Sequence, residues 1–252
     1  MKYLLYNPKS YITARALASQ LGLRYHKNSE RVADLGGYPV IRYGNSMGTF
    51  RRDTDLNAPN VIKMCSDSLK FCRWAKDNDV FTPFYEKIFS QTLPEFPFLL
   101  RKRWHRAGRD IIIIHNELDM KHAWSKFGQQ EILTRYSLPL YRTTYELRVH
   151  VVLDNIPRIF VKQRTADVAD GDIIRTSPRG WHYSIRESLG YKYEKAQALA
   201  LNIAKKIGLK FGGIDMAWCP DYKQYIIWEI NTAPGLSLNS LAIYADALRP
   251  YV

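Results

Sequence analysis

The apolar positions of this chain follow two rhythms, a two-residue alternation and a helical spacing of three to four, and the rhythm switches several times along the sequence. Lys2 to Asn7 reads as a first strand. From Ser10 to Leu21 the residues Ile12, Ala16, Leu17 and Leu21 recur at helical spacing, with Ser10 placed to cap the start and Gly22 to stop the end. A second strand, Tyr38 to Tyr43, runs into the Gly44-Asn45 turn, so the first sixty or so residues predict a small α/β unit. A helix is predicted from Ser66 to about Asn78, capped by Ser66 or Asp67, with Pro83 beyond its end. Two strand-like runs, Phe98 to Trp104 and Ile111 to Ile114, flank Arg106-Ala107-Gly108-Arg109-Asp110 and predict a flap with that segment at its tip. Tyr145 to Leu153 alternates, with Leu147, Val149, Val151 and Leu153 on one face and Glu146, Arg148 and His150 on the other. After an Asp154-Asn155 turn, Arg158 to Arg164 returns as a second strand, in a register that the turn leaves open. Tyr193 to Ile207 is a packing helix, striped by Ala196, Leu199, Ala200, Ile203 and Ile207 and closed by Gly208.

The most informative run is FGGIDMAWCPDYKQYIIWEINTAPG. Phe211 to Cys219 and Tyr225 to Ile230 are strand-like and flank a turn-forming Pro220 to Gln224, which predicts a β-hairpin. If Cys219 pairs with Tyr225, the register carries Asp215 to a position opposite Glu229, with Asn231 two residues on and on the same face. Like charges directly opposed destabilise a sheet, so a divalent cation between them is the natural complement. Oxygen donors without histidine or thiolate suit Mg²⁺ or Mn²⁺, and Mg²⁺ held this way shares its coordination with phosphate oxygens. A one-residue slip would instead separate the two carboxylates onto opposite faces.

Other residues suit an anionic ligand. In the flap, Arg101 and Arg103 share one strand face, while Lys102 shares the other with Leu100 and Trp104; a lysine among apolar neighbours needs an anionic partner. Gly108 permits close backbone approach, and Arg109 could clamp a phosphate once the flap closes. Arg148 can hold a moving phosphoryl group through two parallel hydrogen bonds, with Lys162 and Arg164 as helpers from the returning strand. Neither G-x-x-x-x-G-K-[ST] nor G-x-G-x-x-G occurs, which disfavours the two commonest nucleotide-binding loops.

G-G-I-D followed by W-E-I-N-T-A-P-G resembles the metal-binding end of the ATP-grasp superfamily, in particular the small RimK-like carboxylate–amine ligases often encoded by tailed bacteriophages. FPFLLRKRWHRAGRDIIII resembles the family's strand, basic cluster, glycine-containing loop and strand, and ILTRYSLPLYRTTYELRVHVV its adenine hinge and Glu-x-Arg-Val strand. VIRYGNS and DLNAPNVIK extend the likeness more weakly to the N-terminal part. The resemblance implies a mixed α/β (α+β) ATP-grasp fold in which two subdomains clasp ATP. A pre-ATP-grasp unit at 1–64 would precede a catalytic domain at 65–252, with the flap at about 90–130 and the core at 131–252. It further implies that Asp215, Glu229 and Asn231 hold magnesium on the ATP phosphates, that Lys102 reaches the α- and β-phosphates, and that the loop around Gly108 covers the phosphate chain. Leu133, Thr134, Arg135 and Tyr136 would cup adenine. One position departs from the pattern: Ser68, in CSDSLK, stands where the family often carries lysine.

Composition narrows the setting. With 252 residues, 46% hydrophobic and 13% aromatic, the chain can bury a substantial core and is not of disordered type. No apolar run approaches membrane-spanning length, and MKYLLYNPKS turns polar too soon for a signal peptide. Cys65, Cys72 and Cys219 have neither even pairing nor C-x-x-C spacing, which together point to reduced packing residues in a cytoplasmic protein that does not engage a membrane. A net charge of +13 exceeds what a triphosphate site needs. It predicts an acidic partner beyond ATP, a nucleic acid or an acidic peptide, although the basic residues are dispersed and no helix-turn-helix, zinc-finger or RNA-recognition signature is present; plain solubility is the alternative.

The expected activity is an ADP-producing, carbon–nitrogen bond-forming ligase that joins a carboxylate to an amine through an acyl phosphate. The other readings are an ATP-grasp kinase acting on a hydroxyl, and a non-catalytic basic nucleic-acid- or protein-binding module on the same scaffold.

Overall fold

The computed structural model describes residues 3–27, 40–46, 55–83, 85–87, 95–102, 111–127, 132–135, 143–165, 175, 179–185 and 191–252, with the side chains of 85–87, 102, 127, 132–135, 164, 191 and 192 outside the description. Gly108, Arg109 and Tyr136 therefore lie outside the described residues, as do the side chains of Lys102, Leu133, Thr134, Arg135 and Arg164.

The N-terminal strands form a three-stranded parallel sheet. β1 (Tyr3–Tyr6) is central, between β2 (Arg24–His26) and β3 (Val40–Tyr43). Helix α1 (Tyr11–Gln20) follows a 3-10 turn, Pro8–Ser10, that Asn7 caps by accepting from Lys9 N at 3.0 Å; Ser10 makes no side-chain cap. The buried stripe of α1 is Ala14, Leu17, Ala18 and Leu21, while Ile12 is 83% exposed. The sequence reading of that helix was thus rotated, because alanines carry too little apolar signal to define a face. Arg42 and Asp55, both buried, pair at 2.7 Å, and Asp55 also accepts from Val40 N at 3.2 Å, which seals β3 to the segment after it.

A short helix α2 (Pro59–Cys65) precedes α3 (Ser68–Asp77). Seven residues give no periodicity to read, so α2 went unforeseen. Between the two candidate caps of α3, the structure selects Asp67, whose carboxylate accepts from Leu69 N at 3.2 Å and Lys70 N at 3.3 Å.

β4 (Tyr85–Lys87), β5 (Phe98–Lys102), β6 (Ile111–Ile114) and β7 (Ile132–Arg135) make a four-stranded sheet in the order β4-β7-β5-β6. Helix α4 (Glu117–Phe127) covers one of its faces, burying Phe98, Leu100 and Ile114 against Met120 and Ala123. Two side chains hold the start of α4, Asn116 accepting from Asp119 N at 3.0 Å and Asp119 accepting from His115 N at 2.9 Å.

The largest sheet has the order β10-β9-β8-β11-β12, built from β8 (Glu146–Val152), β9 (Asn155–Arg164), β10 (Trp181–Ser184), β11 (Phe211–Cys219) and β12 (Gln224–Asn231). Leu147, Val149, Val151, Val161, Ile214, Met216, Tyr225, Ile227 and Ile230 line one face and pack on α5 (Tyr191–Ile207), α2 and α3. Leu153 was expected to continue the apolar face of β8; instead it takes a left-handed φ of 56° and turns the chain into β9. The last helix, α6 (Leu238–Leu248), capped by Ser237, buries Leu241, Tyr244, Ala245 and Leu248 against α1 and the N-terminal sheet. Among the described residues no helix is long and apolar enough to cross a membrane.

Candidate functional site

The site face of the large sheet is the one turned away from α5. Its residues are arranged in rows across the strands. β8 and β11 pair Arg148 with Asp215, and β11 and β12 pair Asp215 with Glu229, so a cation and two carboxylates stand side by side. One row further along, His150, Gly213 and Asn231 align; in the other direction β10 and β9 pair Tyr183 with Lys162, next to Glu146.

The expected opposition of Asp215 and Glu229 is present, and it is reached by a route the sequence did not reveal. At the turn Cys219 pairs with Gln224, not Tyr225, a register that would carry Glu229 past Asp215. The register shifts between Asp215 and Met216, and Trp228 is the extra residue, a β-bulge that returns Glu229 to its place. The bulge also explains why Ile227 and Ile230, three residues apart, share the buried face.

Arg148 grips Asp215 through both ends of its fork, Nε to Oδ1 and Nη2 to Oδ2, each at 2.6 Å. Gly213 makes room for this, since a Cβ there would sit 3.3 Å from Arg148 Cδ; at Gly212 a Cβ would instead meet the Asn231 carbonyl oxygen at 2.8 Å. Burial pushes the Asp215 carboxyl up, but the Arg148 charge and hydrogen bonds outweigh burial and hold it below the usual range. Glu229 moves the other way, raised by burial and then by the Asp215 charge, against the pull of Arg148, Arg101 and Lys162. The two carboxyl groups are therefore pushed apart in acidity, Asp215 downward by Arg148 and Glu229 upward by burial and by Asp215.

Two acids paired across adjacent strands offer a hard-oxygen seat whose mutual repulsion a divalent cation would relieve, and the donor set fits Mg²⁺ or Mn²⁺. Among the described residues no three His, Cys, Asp or Glu side chains converge on a metal position, so such an ion would take its remaining oxygens from Asn231 and from its ligand. Asn231 shares the face and accepts from Ala233 N at 3.0 Å, which shapes the Asn-Thr-Ala-Pro-Gly loop. That loop abuts the carboxyl end of β3, where the Tyr43 hydroxyl donates to the Pro234 carbonyl.

Cations surround this pair. Lys162 donates to Glu146 at 2.9 Å, and Arg175 stands 3.5 Å from the same carboxylate while donating to the Thr143 carbonyl at 3.0 Å. Arg101, buried on the face of β5 opposite Leu100, donates to Ser68 Oγ at 3.0 Å, and its charge is felt at Glu229. The four-stranded sheet therefore reaches the site through Arg101, which sequence reasoning had set aside in favour of Lys102. The Leu100 named as a neighbour of Lys102 packs under α4. Ser68, noted only as a departure from pattern, is Arg101's partner. Tyr183 was also missed, because only the β9–β10 register brings it to this face.

His150 closes the site at the α6 side. Tyr244 donates to the Gly212 carbonyl at 3.0 Å, so its oxygen accepts from His150 Nδ1 at 2.5 Å. Burial, reinforced by the Arg148 charge, lowers the His150 pKa from 6.5 to about 3. Between those values the unfolded chain binds a proton here and the folded chain does not, so stability falls as pH drops from 6.5 to about 3. The expected contribution is at most about 1.4 kcal/mol per pH unit, and urea unfolding of His150→Gln from neutral to acid pH should lack that part of the slope.

No family model matches the sequence. The uncharacterized protein MG011 of Mycoplasma genitalium is 22% identical over 195 residues, 77% of this chain; the chain spans 62% of that relative's length. Solved structures are more informative about shape. D-alanine–D-alanine ligase from Bacillus anthracis superposes with a TM-score of 0.71 at 12% identity, over 98% of this chain and 95% of that one, and its complex with ATP gives 0.68 over 98% and 91%. The ATP-grasp ligase PsnB, complexed with a minimal precursor, gives 0.66 at 10% identity over 100% and 99%. A RimK-domain ATP-grasp protein from Sphaerobacter thermophilus gives 0.65 at 13% identity over 98% and 99%. With a four-stranded and a five-stranded antiparallel sheet, and whole-chain likeness to these proteins, this chain has the ATP-grasp fold.

Proposed function

We propose that the chain is an ATP-dependent carboxylate–amine ligase whose reaction centre is the site face of the large sheet. One observation carries the reading: Arg148, Asp215 and Glu229 converge on adjacent strands in a fold shared with ATP-grasp ligases. The γ-phosphoryl of ATP passes to a carboxylate oxygen, giving an acyl phosphate and ADP; an amine then attacks the acyl carbon, and phosphate leaves as the amide forms and a proton is released. Both partners of the first step are anionic, so the protein's task is to neutralise charge and exclude water.

Asp215 and Glu229, with Asn231, would hold Mg²⁺, which supplies charge neutralisation on the phosphates. Arg148 binds the transferred group through its two-pronged edge, with Lys162 and Arg164 as its helpers from the returning strand. Lys102, Gly108 and Arg109 cover the phosphate chain from the flap, Arg101 adds a cation from the same strand, and Leu133 to Tyr136 bound the adenine. The division at about residue 65 and a cytoplasmic setting belong to the same reading. The net charge of +13 favours an acidic or polyanionic carboxylate substrate.

The test is an ADP-release screen with Mg²⁺ over amino acids, acidic peptides and nucleic acids, with products identified by mass. Loss of water between acid and amine is expected. A phosphorylated hydroxyl would replace the ligase by a kinase, and no ADP with any acceptor would leave a binding module.

A further inference from the structure

We propose that Tyr183 is the positioning residue that keeps Arg148 on the site face when Asp215 is given over to a cation. This rests on the reading of the site above and adds a residue that neither the motifs nor the expected chemistry included.

A guanidinium offers two different surfaces, an edge of N–H donors and a flat π face. In this protein the edge belongs to Asp215, bonded through Nε and Nη2. The face belongs to Tyr183, whose ring centroid lies 4.3 Å from Arg148 Cζ. The ring also stands 5.4 Å from Lys162 Nζ, and the β10 register sets Tyr183 beside Lys162. The negative face of the aromatic ring therefore gathers two cations that come from different strands.

The two contacts respond differently to a ligand. A divalent cation seated on Asp215 and Glu229 competes for the carboxylate lone pairs that the Arg148 edge now uses, which frees those N–H donors to meet phosphate oxygens. It takes nothing from the ring. A released arginine with several rotatable bonds would otherwise spread over many rotamers, and the ring contact is what survives to hold it in reach of the phosphoryl group. On this account the aromatic face matters and the hydroxyl does not, so phenylalanine should substitute where an aliphatic side chain fails.

The experiment compares Tyr183→Phe, Tyr183→Leu and Tyr183→Met in the full chain. The Arg148 Nε–H resonance, assigned by its loss in Arg148→Lys, should lie upfield from the ring current in the wild type and in Tyr183→Phe, both alone and with Mg²⁺ and ADP. It should move downfield in the aliphatic variants. In the ADP-release assay the aliphatic variants should lose about 5- to 30-fold in kcat with KM for ATP little changed, and Tyr183→Phe should recover most of the turnover. Undiminished turnover in the aliphatic variants, equal impairment in Tyr183→Phe, or loss of the upfield shift on adding Mg²⁺ and ADP would each overturn the proposal, as would failure of both aliphatic variants to fold. If the wild type turns over no acceptor, the ligase reading fails, and the resonance arm still decides the role of Tyr183.

Discussion

Arg148→Met is expected to lower the stability of this protein by about 3–5 kcal/mol, and adding Asp215→Leu to it is expected to return most of that loss. The reason lies in the asymmetry of buried ion pairs. Arg148 and Asp215 expose only 15% and 10% of their side chains, and their two 2.6 Å bonds offset the cost of taking both charges out of water. Removing the arginine alone strands a carboxylate beside Glu229, whereas removing both charges leaves an apolar patch on an already buried row. The pH dependence should also change sign. In the wild type the depressed Asp215 pKa contributes stability above its unfolded value, which is lost as acid protonates the folded carboxylate. Without Arg148, burial raises that pKa, so the single variant should gain relative stability on acidification, which urea unfolding at several pH values would register.

Glu229→Gln should separate stability from chemistry. Burial and the Asp215 charge both raise the Glu229 carboxyl, so its negative charge works against the ligand-free fold. A neutral amide of the same shape removes that charge without opening a cavity, so the melting transition should barely move, a change within about 1 kcal/mol. Turnover is another matter. An amide cannot supply the second negative charge that a divalent cation requires, and ATP-dependent ADP release should fall by about 10²–10³-fold, the scale of losing one preorganised electrostatic group. ADP release that persists undiminished in Glu229→Gln would count against this carboxyl pair as the reaction centre.

How legible these features were depended on how local their causes are. The alternation of β8 announced both its buried face and Glu146, Arg148 and His150 opposite, since strand parity is a property of neighbouring residues. The Asp215–Glu229 opposition was also legible, though through a wrong pairing at the turn that the Trp228 bulge happens to correct. What the sequence withheld was long-range. That Arg101 reaches Ser68 depends on which face of β5 α4 covers, and α4 was not foreseen although Asn116 and Asp119 spell out its cap. Tyr183 is invisible without the β9–β10 register, which a chain of unremarkable composition does not encode locally. The buried stripe of α1 was misplaced because two of its four members are alanines.

The Trp228 bulge has one more consequence, for how this ribbon tolerates changes of length. It works as a frame-shift corrector between the tip, where Tyr222 is 47% exposed, and the acid pair. Pro220 to Lys223 lie outside the ladder, which ends at Cys219 and Gln224, so exchanges there leave the parity of Glu229 to the paired residues and the bulge. Flattening the bulge, so that Trp228 enters the ladder opposite Asp215, would turn Glu229 to the α5 side, whereas excising Trp228 would leave Ile227 and Glu229 as consecutive rungs with Glu229 still opposite Asp215.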